Sequence, residues 1–460
     1  MSRSEIRDAL APVVEAKMRE LQVPGVSLGV LVDGTQREVH TWGVTNVEVP
    51  RPVTDRTLFQ IGSTGKVFTA TAVMRLVERG AITLDTRVQD VLPDFGVCDP
   101  EVSRHVTVKH LLTHHAGWFG DHLPDTGQGD DALGRLVASM ATGCPQVAPL
   151  GHTWSYNNNA FCVAGRIVEV LEKRPYETAV ADGILRPLGM ARTHLLPEDL
   201  LTHDLAVGHT HWTGEPTVFR PYYLNRGAGA TGAAYVSCPD DLLTFAQFHL
   251  GTGPVEQAGV LTTVSRHAMQ QPLAPAGFFA DEVGTAWLLE RFGGVSLVKH
   301  GGSLHGQMSA FVLLPEHGFA ITVLTNSERG HELNDAVVAA AVTRLLGLHF
   351  EEAEFLDPRS APRDDYVGRY QTPHGDVIVS VHEEGVLLEF ELAAYLRGVP
   401  VAEAAVPDPT VYRLLPGEAA FPTCVDRRRR FAQVDFVRDP QGRVSWLRFR
   451  GQLAPRRQPS

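Results

Sequence analysis

Cysteine is scarce in this chain: five residues in 460, at positions 98, 144, 162, 238 and 424. They are scattered, odd in number and never spaced Cys-x-x-Cys. That argues against a zinc site or a disulfide framework and leaves each as a small buried hydrophobe. No His-Glu-x-x-His pattern stands among the 20 histidines, so no structural or catalytic metal is expected. No apolar run approaches the roughly 20 residues needed to span a bilayer. The N-terminus has no signal-peptide core, so the default expectation is a cytoplasmic protein with no membrane partner. Basic residues are outnumbered, 41 against 53, for a net charge of −12. This argues against a nucleic-acid partner, and the arginine run at 427–430 reads as a solvated strand edge or loop. The glycine-rich stretch 227–232 lacks the Lys-Ser/Thr of a phosphate-binding loop. Length alone implies two or three domains.

What is present centres on Ser63 and Lys66. The residues after Lys66 are apolar at helical spacing (Val67, Phe68, Ala70, Val73, Met74, Val77), and Gly80 follows as a stop. A serine opening that helix shares a face with the residue three positions on, and sits at the positive end of the helix dipole, where an oxyanion is favoured. Lysine can activate a serine only when neutral. At its ordinary pKa roughly one molecule in 2,500 is neutral at pH 7, so burial or a nearby cation must lower it. Four residues alone also fit an N-capping serine beside a surface lysine.

Around this stretch the chain reads as α+β. A helix over 1–21, a strand over 26–32, an Asp33-Gly34 turn and a partner strand over 39–44 imply an antiparallel sheet with helices packed on it. Residues 106–117 form a short helix with Thr107 as N-cap. Residues 120–131, rich in Asp and Gly, read as a loop near the site or as a mere connector. Tyr156 and Asn158 lie where a loop opens an apolar helix, with Asn158 or Asn159 as its cap. Residues 295–302 read as a strand ending in a glycine pair, with His300 on one edge of the sheet. A hairpin over 309–326 and a closing helix over 333–346 follow. Residues 351–364 read as a linker. The short strands beyond it, at 366–370, 377–381, 386–390, 431–436 and 444–449, suggest a small antiparallel β-barrel. The expected domains are 1–350, catalytic, and 365–460, the barrel.

Three sites in order, Ser63-x-x-Lys66, Tyr156-x-Asn158 and His300-Gly301-Gly302, resemble the signatures of the serine β-lactamase and penicillin-binding-protein superfamily, class C-like branch. The segment 106–117 and residues 323–326 are similar to that branch too. The resemblance implies a β-lactamase/transpeptidase-like domain, with an all-helical lobe beside the sheet, over roughly residues 5–347. The C-terminal part resembles the lipocalin-like barrel appended to some members. His300 departs from the Lys-Thr/Ser-Gly of β-lactamases, which puts β-lactam hydrolysis in doubt. Length, the single barrel and the 125–131 loop most resemble the penicillin-binding-protein-type thioesterases, which release and cyclise nonribosomal peptides.

That resemblance implies an acyl-enzyme on Ser63 and no cofactor. Lys66 would be the base. Tyr156, as a phenolate, would exchange protons with the leaving group and the nucleophile. Asn158 would orient Lys66, and His300 would polarise Tyr156 or the nucleophile, with His305 as the second candidate. Backbone N–H groups of Ser63 and near Ser303 would hold the oxyanion. Gly301, Gly302, Ser303 and His305 would line the substrate cleft. Arg448 or Arg450 on the barrel's late strand would grip a substrate carbonyl or carboxylate, or stay solvated. The expected partner is an ester or a peptidyl thioester, which a carrier protein could present. Two rivals stand: a D-stereospecific peptidase or carboxylesterase that uses water, and a catalytically silent binding module.

Overall fold

Ile6, Leu10 and Val14 recur every four residues and are fully buried, which seats helix α1 (Arg3–Leu21) on the sheet by one stripe. The computed structural model describes residues 3–212, 214–220, 223–253, 259–292, 294–349, 354–394, 406–423 and 433–457. Cys424, the arginine run at 427–430 and the linker's first residues, 351–353, lie outside the described residues. Strands β1 (Gly25–Val32), β2 (Gln36–Gly43), β3 (Ala274–Pro275), β4 (Glu282–Val283), β5 (Leu288–Phe292), β6 (Val295–Leu304), β7 (Gln307–Leu314) and β8 (Phe319–Thr325) form one antiparallel sheet. Its order is β2-β1-β8-β7-β6-β5-β4-β3. Strand β1 is buried at every position, so its side chains meet apolar partners on both faces.

On one face α1 packs with α6 (Gly330–Leu346) over Val30, Ile321 and Val323. On the other lies the helical lobe: α2 (Lys66–Glu78), α3 (Ala132–Gly143), α4 (Asn158–Glu172) and α5 (Pro239–Leu250). Helix α2 is buried nearly all round, from Lys66 through Met74. A helix with no wet face is a core helix. Its Thr69 and Thr71 hydroxyls donate to the carbonyls of Ala230 and Val67. No described helix is long and apolar enough to cross a membrane.

Strand β6 does not end at the glycine pair, as the sequence suggested; it continues to Leu304. Nor is it an edge strand, since it lies between β7 and β5. Yet β5 pairs only as far as Lys299, which faces Leu288, so no strand among the described residues lies beside the flank of residues 300–304 opposite β7. His300 therefore sits on a local edge inside the sheet.

The C-terminal strands are β9 (Gly368–Thr372), β10 (Gly375–His382), β11 (Gly385–Leu392), β12 (Thr410–Leu414), β13 (Ala419–Pro422), β14 (Val434–Arg438), β15 (Val444–Phe449) and β16 (Gln452–Pro455). Each pairs with the next, and a bridge between Tyr370 and Arg456 brings the last back to the first. The sequence reading missed β12, β13 and β16. Residues around 354–362 pack on this barrel, with Leu356 against its core. Cys144, Cys162 and Cys238 are buried, but Cys98 is exposed, contrary to expectation.

The barrel is fastened to the helical lobe by Arg448, which is 3% exposed. Its guanidinium pairs with buried Asp435, and donates to the Trp154 carbonyl at 3.0 Å and to Thr153 Oγ1 at 2.9 Å. Burial pushes the Asp435 carboxyl up and Arg448 pulls it back. Arg448→Ala would leave that carboxylate buried and unpaired. We expect a loss of about 3–5 kcal/mol in a denaturant titration of the full chain. A loss below about 1 kcal/mol would mean that the pair is solvated.

Candidate active site

Ser63 stands in a turn of 3-10 helix (Gly62–Gly65) that runs into α2. Strand β7 clamps this turn: Ser309 Oγ donates to the Ile61 carbonyl at 2.7 Å and lies 2.8 Å from Thr64 Oγ1. The Gln60 amide donates to the Gln307 side chain at 3.1 Å. A Cβ on Gly302 would stand 1.9 Å from the Ile61 carbonyl oxygen and 2.8 Å from the Ser63 amide nitrogen. One on Gly62, where φ is +50°, would stand 2.7 Å from the Ser303 amide nitrogen. Only glycine lets the turn and β6 meet backbone to backbone.

Lys66 is wholly buried. Its Nζ lies 3.0 Å from Ser63 Oγ, 2.6 Å from Asn158 Oδ1 and 2.8 Å from the Thr231 carbonyl oxygen. As an ammonium it donates to all three. As an amine it keeps two N–H groups for Asn158 and Thr231, two atoms that can only accept. The lone pair is then left for the Ser63 hydroxyl proton. Burial brings the Lys66 pKa down to about 7, with Asp121 and Cys162 pulling the other way. About half of the lysine is then neutral at pH 7.

Tyr156 is held differently from the sequence expectation. Burial pushes its phenol up, and a hydrogen bond with Ser63 only partly opposes this. That favours the phenol at neutral pH over the phenolate the resemblance implies, and leaves Lys66, 3.0 Å from Ser63 Oγ, as the candidate base. His114, which the sequence reading passed over, stacks on Tyr156 with ring centroids 4.5 Å apart. Its Nδ1 accepts from the Asn157 amide at 2.9 Å, so the imidazole is neutral with its hydrogen on Nε2. His300 Nδ1 lies 2.7 Å from the Gly301 carbonyl oxygen, which can only accept, so Nδ1 carries the hydrogen and Nε2 a lone pair. Burial, with Lys66 nearby, pulls the His300 pKa down to about 3.

Three consecutive asparagines do three jobs. The cap of α4 is Asn157, not Asn158 or Asn159; its Oδ1 accepts from the Ala160 amide at 2.8 Å. Asn158 faces Lys66 and donates from Nδ2 to Asp121 at 2.6 Å. Asn159 bonds both ways with the His122 backbone.

A cavity of about 940 Å³ is lined by Ser63, Tyr156, His300, Gly301, Gly302 and Ser303, and also by Phe449 and Arg450 of the barrel. Arg450 and Gly451, with φ of +51° and +81°, make the two-residue turn between β15 and β16. The Gly451 carbonyl accepts the Tyr156 amide at 2.8 Å. Two sequence candidates lie elsewhere. Arg448 is buried in the barrel contact. His305 occupies the β6–β7 turn, with φ of +47° and its ring stacked on Phe219. Sequence reasoning also missed Thr231, although the glycine-rich stretch that presents its carbonyl had been noticed, and Gln452, which no motif marks.

The family model for Beta-lactamase matches residues 10–344. The chain belongs to the beta-lactamase family. It is a serine hydrolase of that family. It is 35% identical to Penicillin-binding protein 4 of Amycolatopsis lactamdurans over 370 residues, 78% of this chain and 96% of that protein. It is 28% identical to Unguisins hydrolase ungD' of Aspergillus campestris (strain IBT 28561) over 332 residues, 69% of this chain and 61% of that protein. The crystal structure of SurE with D-Leu has a TM-score of 0.74 at 24% identity, covering 98% of this chain and 99% of that one. That likeness is one of fold, barrel included.

The lysine geometry carries a pH dependence. Labelling of Ser63 by a fluorophosphonate should rise with pH along a limb centred near 7 and then flatten, because only neutral Lys66 accepts the proton. Lys66→Met should cost roughly 10²-fold or more and erase the limb. A limb centred above about 9 would mean that the lysine keeps its ordinary pKa.

Proposed function

We propose that the protein is a stand-alone penicillin-binding-protein-type thioesterase. It takes a nonribosomal peptide ending in a D-residue from a thioester, presented by a carrier protein or a small thiol, and closes it into a ring. Ser63 Oγ attacks the thioester carbonyl as its proton passes to Lys66. The oxyanion is held by the Ser63 and Ser303 N–H groups. The C–S bond breaks, and the thiolate takes a proton from Tyr156, which Lys66 restores. In the second half the peptide's own amine attacks the acyl ester. The Tyr156 phenol gives its proton to the Ser63 oxygen, which departs as the hydroxyl, and takes the amine's proton in its place. Asn158 orients Lys66, and the open flank of residues 300–304 offers backbone groups to the peptide.

The observation that carries this reading is the cavity that Ser63 shares with the barrel turn. A wall over the acyl-enzyme excludes water, and a tethered amine then gains the effective molarity of an intramolecular reaction. Arg450, exposed at the cavity wall, would grip a carbonyl or carboxylate of the peptide; Arg448 is engaged elsewhere. A relative named for hydrolysing unguisins and a similar fold solved with D-Leu favour a peptide substrate with a D-residue.

Linear peptide thioesters ending in a D-residue should give mainly head-to-tail cyclic product, one water lighter than the acid by mass spectrometry. Arg450→Ala should lower the cyclic-to-linear ratio several-fold. A panel giving only linear acid would replace this reading with the hydrolytic one, a D-peptidase or carboxylesterase. Penicillins should acylate Ser63 slowly and turn over weakly, because neutral His300 cannot pair with their carboxylate as a lysine does. A kcat/KM on a penicillin near about 10⁶ M⁻¹s⁻¹ would contradict this.

A further inference from the structure

The barrel reaches the general base as well as the cleft. Lys66 Nζ lies 2.6 Å from Asn158 Oδ1, and Asn158 Nδ2 donates to Asp121 Oδ1 at 2.6 Å. Gln452 Nε2, on the first residue of β16, donates to the other oxygen of the same carboxylate at 2.5 Å. The direction of the chain is forced. Were the Asn158 amide turned over, its NH₂ would face the Lys66 N–H groups and its oxygen would face a carboxylate, mismatching both contacts. Asp121 thus fixes which way Asn158 points, and Asn158 decides where the Lys66 lone pair points. A lone carboxylate on a loop could swing into solvent, since Asp121 is exposed. Gln452 holds it, and Gln452 is itself fixed by its strand. The next amide, Leu453, donates to Ser155 Oγ at 3.2 Å, and the preceding Gly451 carbonyl holds the Tyr156 amide.

We infer that Asp121 and Gln452 are positioning residues for the base, so that the last barrel hairpin governs acylation of Ser63 itself. This rests on the acyl-enzyme reading above, but not on cyclisation. The barrel then matters to every substrate, including small probes that never touch Arg450. The groups facing Lys66 are few: Asp121 from the loop, the Cys162 thiol from α4, the Tyr156 phenol, and neutral His114 and His300. Burial keeps Cys162 protonated, so Asp121 is the anion among them.

The test is the rate of fluorophosphonate labelling of the full-length enzyme against pH, for wild type, Gln452→Leu, Asp121→Asn and the double variant. Gln452→Leu should lower the plateau by about ten- to a hundredfold, the usual cost of a misplaced catalytic group, with the melting temperature little changed. Asp121→Asn should lower the plateau and move the limb to lower pH, because the carboxylate that favours the ammonium is gone. Adding Gln452→Leu to Asp121→Asn should cost nothing more, since the glutamine acts through that carboxylate. Additive losses in the double variant, or an unmoved limb in Asp121→Asn, would overturn the inference. A wild-type enzyme that no fluorophosphonate labels would overturn the acyl-enzyme reading, and this inference with it.

Discussion

Burying Lys66 is the constraint on which the rest of the site depends. An ammonium taken out of water either finds acceptors or gives up its proton. Here three acceptors converge on it from α4, from the glycine-rich stretch and from Ser63 itself. The proton is still held only weakly, with a pKa of about 7 against an ordinary 10.5. The same burial acts on the neighbours with the opposite result for chemistry. Tyr156 stays a phenol, and His114 and His300 stay neutral imidazoles. Environment drives the titrations apart, so one group near Ser63 changes charge around neutrality. The fold bears the cost. Because the folded pKa of Lys66 lies below the unfolded one, stability rises with pH between about 7 and 10.5. The full penalty, about 5 kcal/mol, is in force below that window.

Close backbone approach is the second requirement. The Ser63 turn is enclosed by β6 on one side and the glycine-rich stretch on the other, and both neighbours present glycine. A Cβ on Gly232 would fall 1.9 Å from the Gly62 carbonyl oxygen, as near as one on Gly302 would fall to that of Ile61. With no side chains between them, the segments set the positions of the Ser63 and Ser303 amides by main-chain contact alone. Ser309 and Gln307 on β7 then tie the turn to a central strand of the sheet. Ser63 thus rests on rigid elements rather than on a mobile loop.

Local features of this site could be read from sequence; contacts between distant segments could not. Ser63 and Lys66 are three residues apart and their relation follows from helix geometry. The sheet's hairpins and the Thr107 cap were legible for the same reason. The charge state of Tyr156 was not, because it depends on burial by His114 and Phe279 from two other segments, together with nearby Trp154. Arg448 and Arg450 are two positions apart, and on one continuous strand alternation would put them on the same face. The strand ends between them, the turn reverses the chain, and one becomes a buried anchor while the other faces the cavity. Strand β13 contains two alanines and a proline, weak strand formers, and forms because its neighbours supply the ladder.

The two kinds of contact that join barrel and lobe are unequal in strength and depend on each other in one direction. Arg448 is buried, with barrel residue Asp435 balancing its charge, so its bonds to the Trp154 carbonyl and Thr153 on the lobe are little screened, and losing either partner of the pair strands a charge. The Gln452–Asp121 bond is exposed, and a lone surface contact of that kind contributes little to stability. It need not contribute more. Once Arg448, the Trp446 indole on Val147 and the Gly451–Tyr156 bond have fixed the hairpin, the Gln452 backbone is held and only its side-chain rotamers remain to be ordered. A weak bond whose backbone ordering has already been met can still define a direction. The buried anchors hold the barrel in place, and the exposed bond converts that placement into an orientation of Asn158, and so of the lysine.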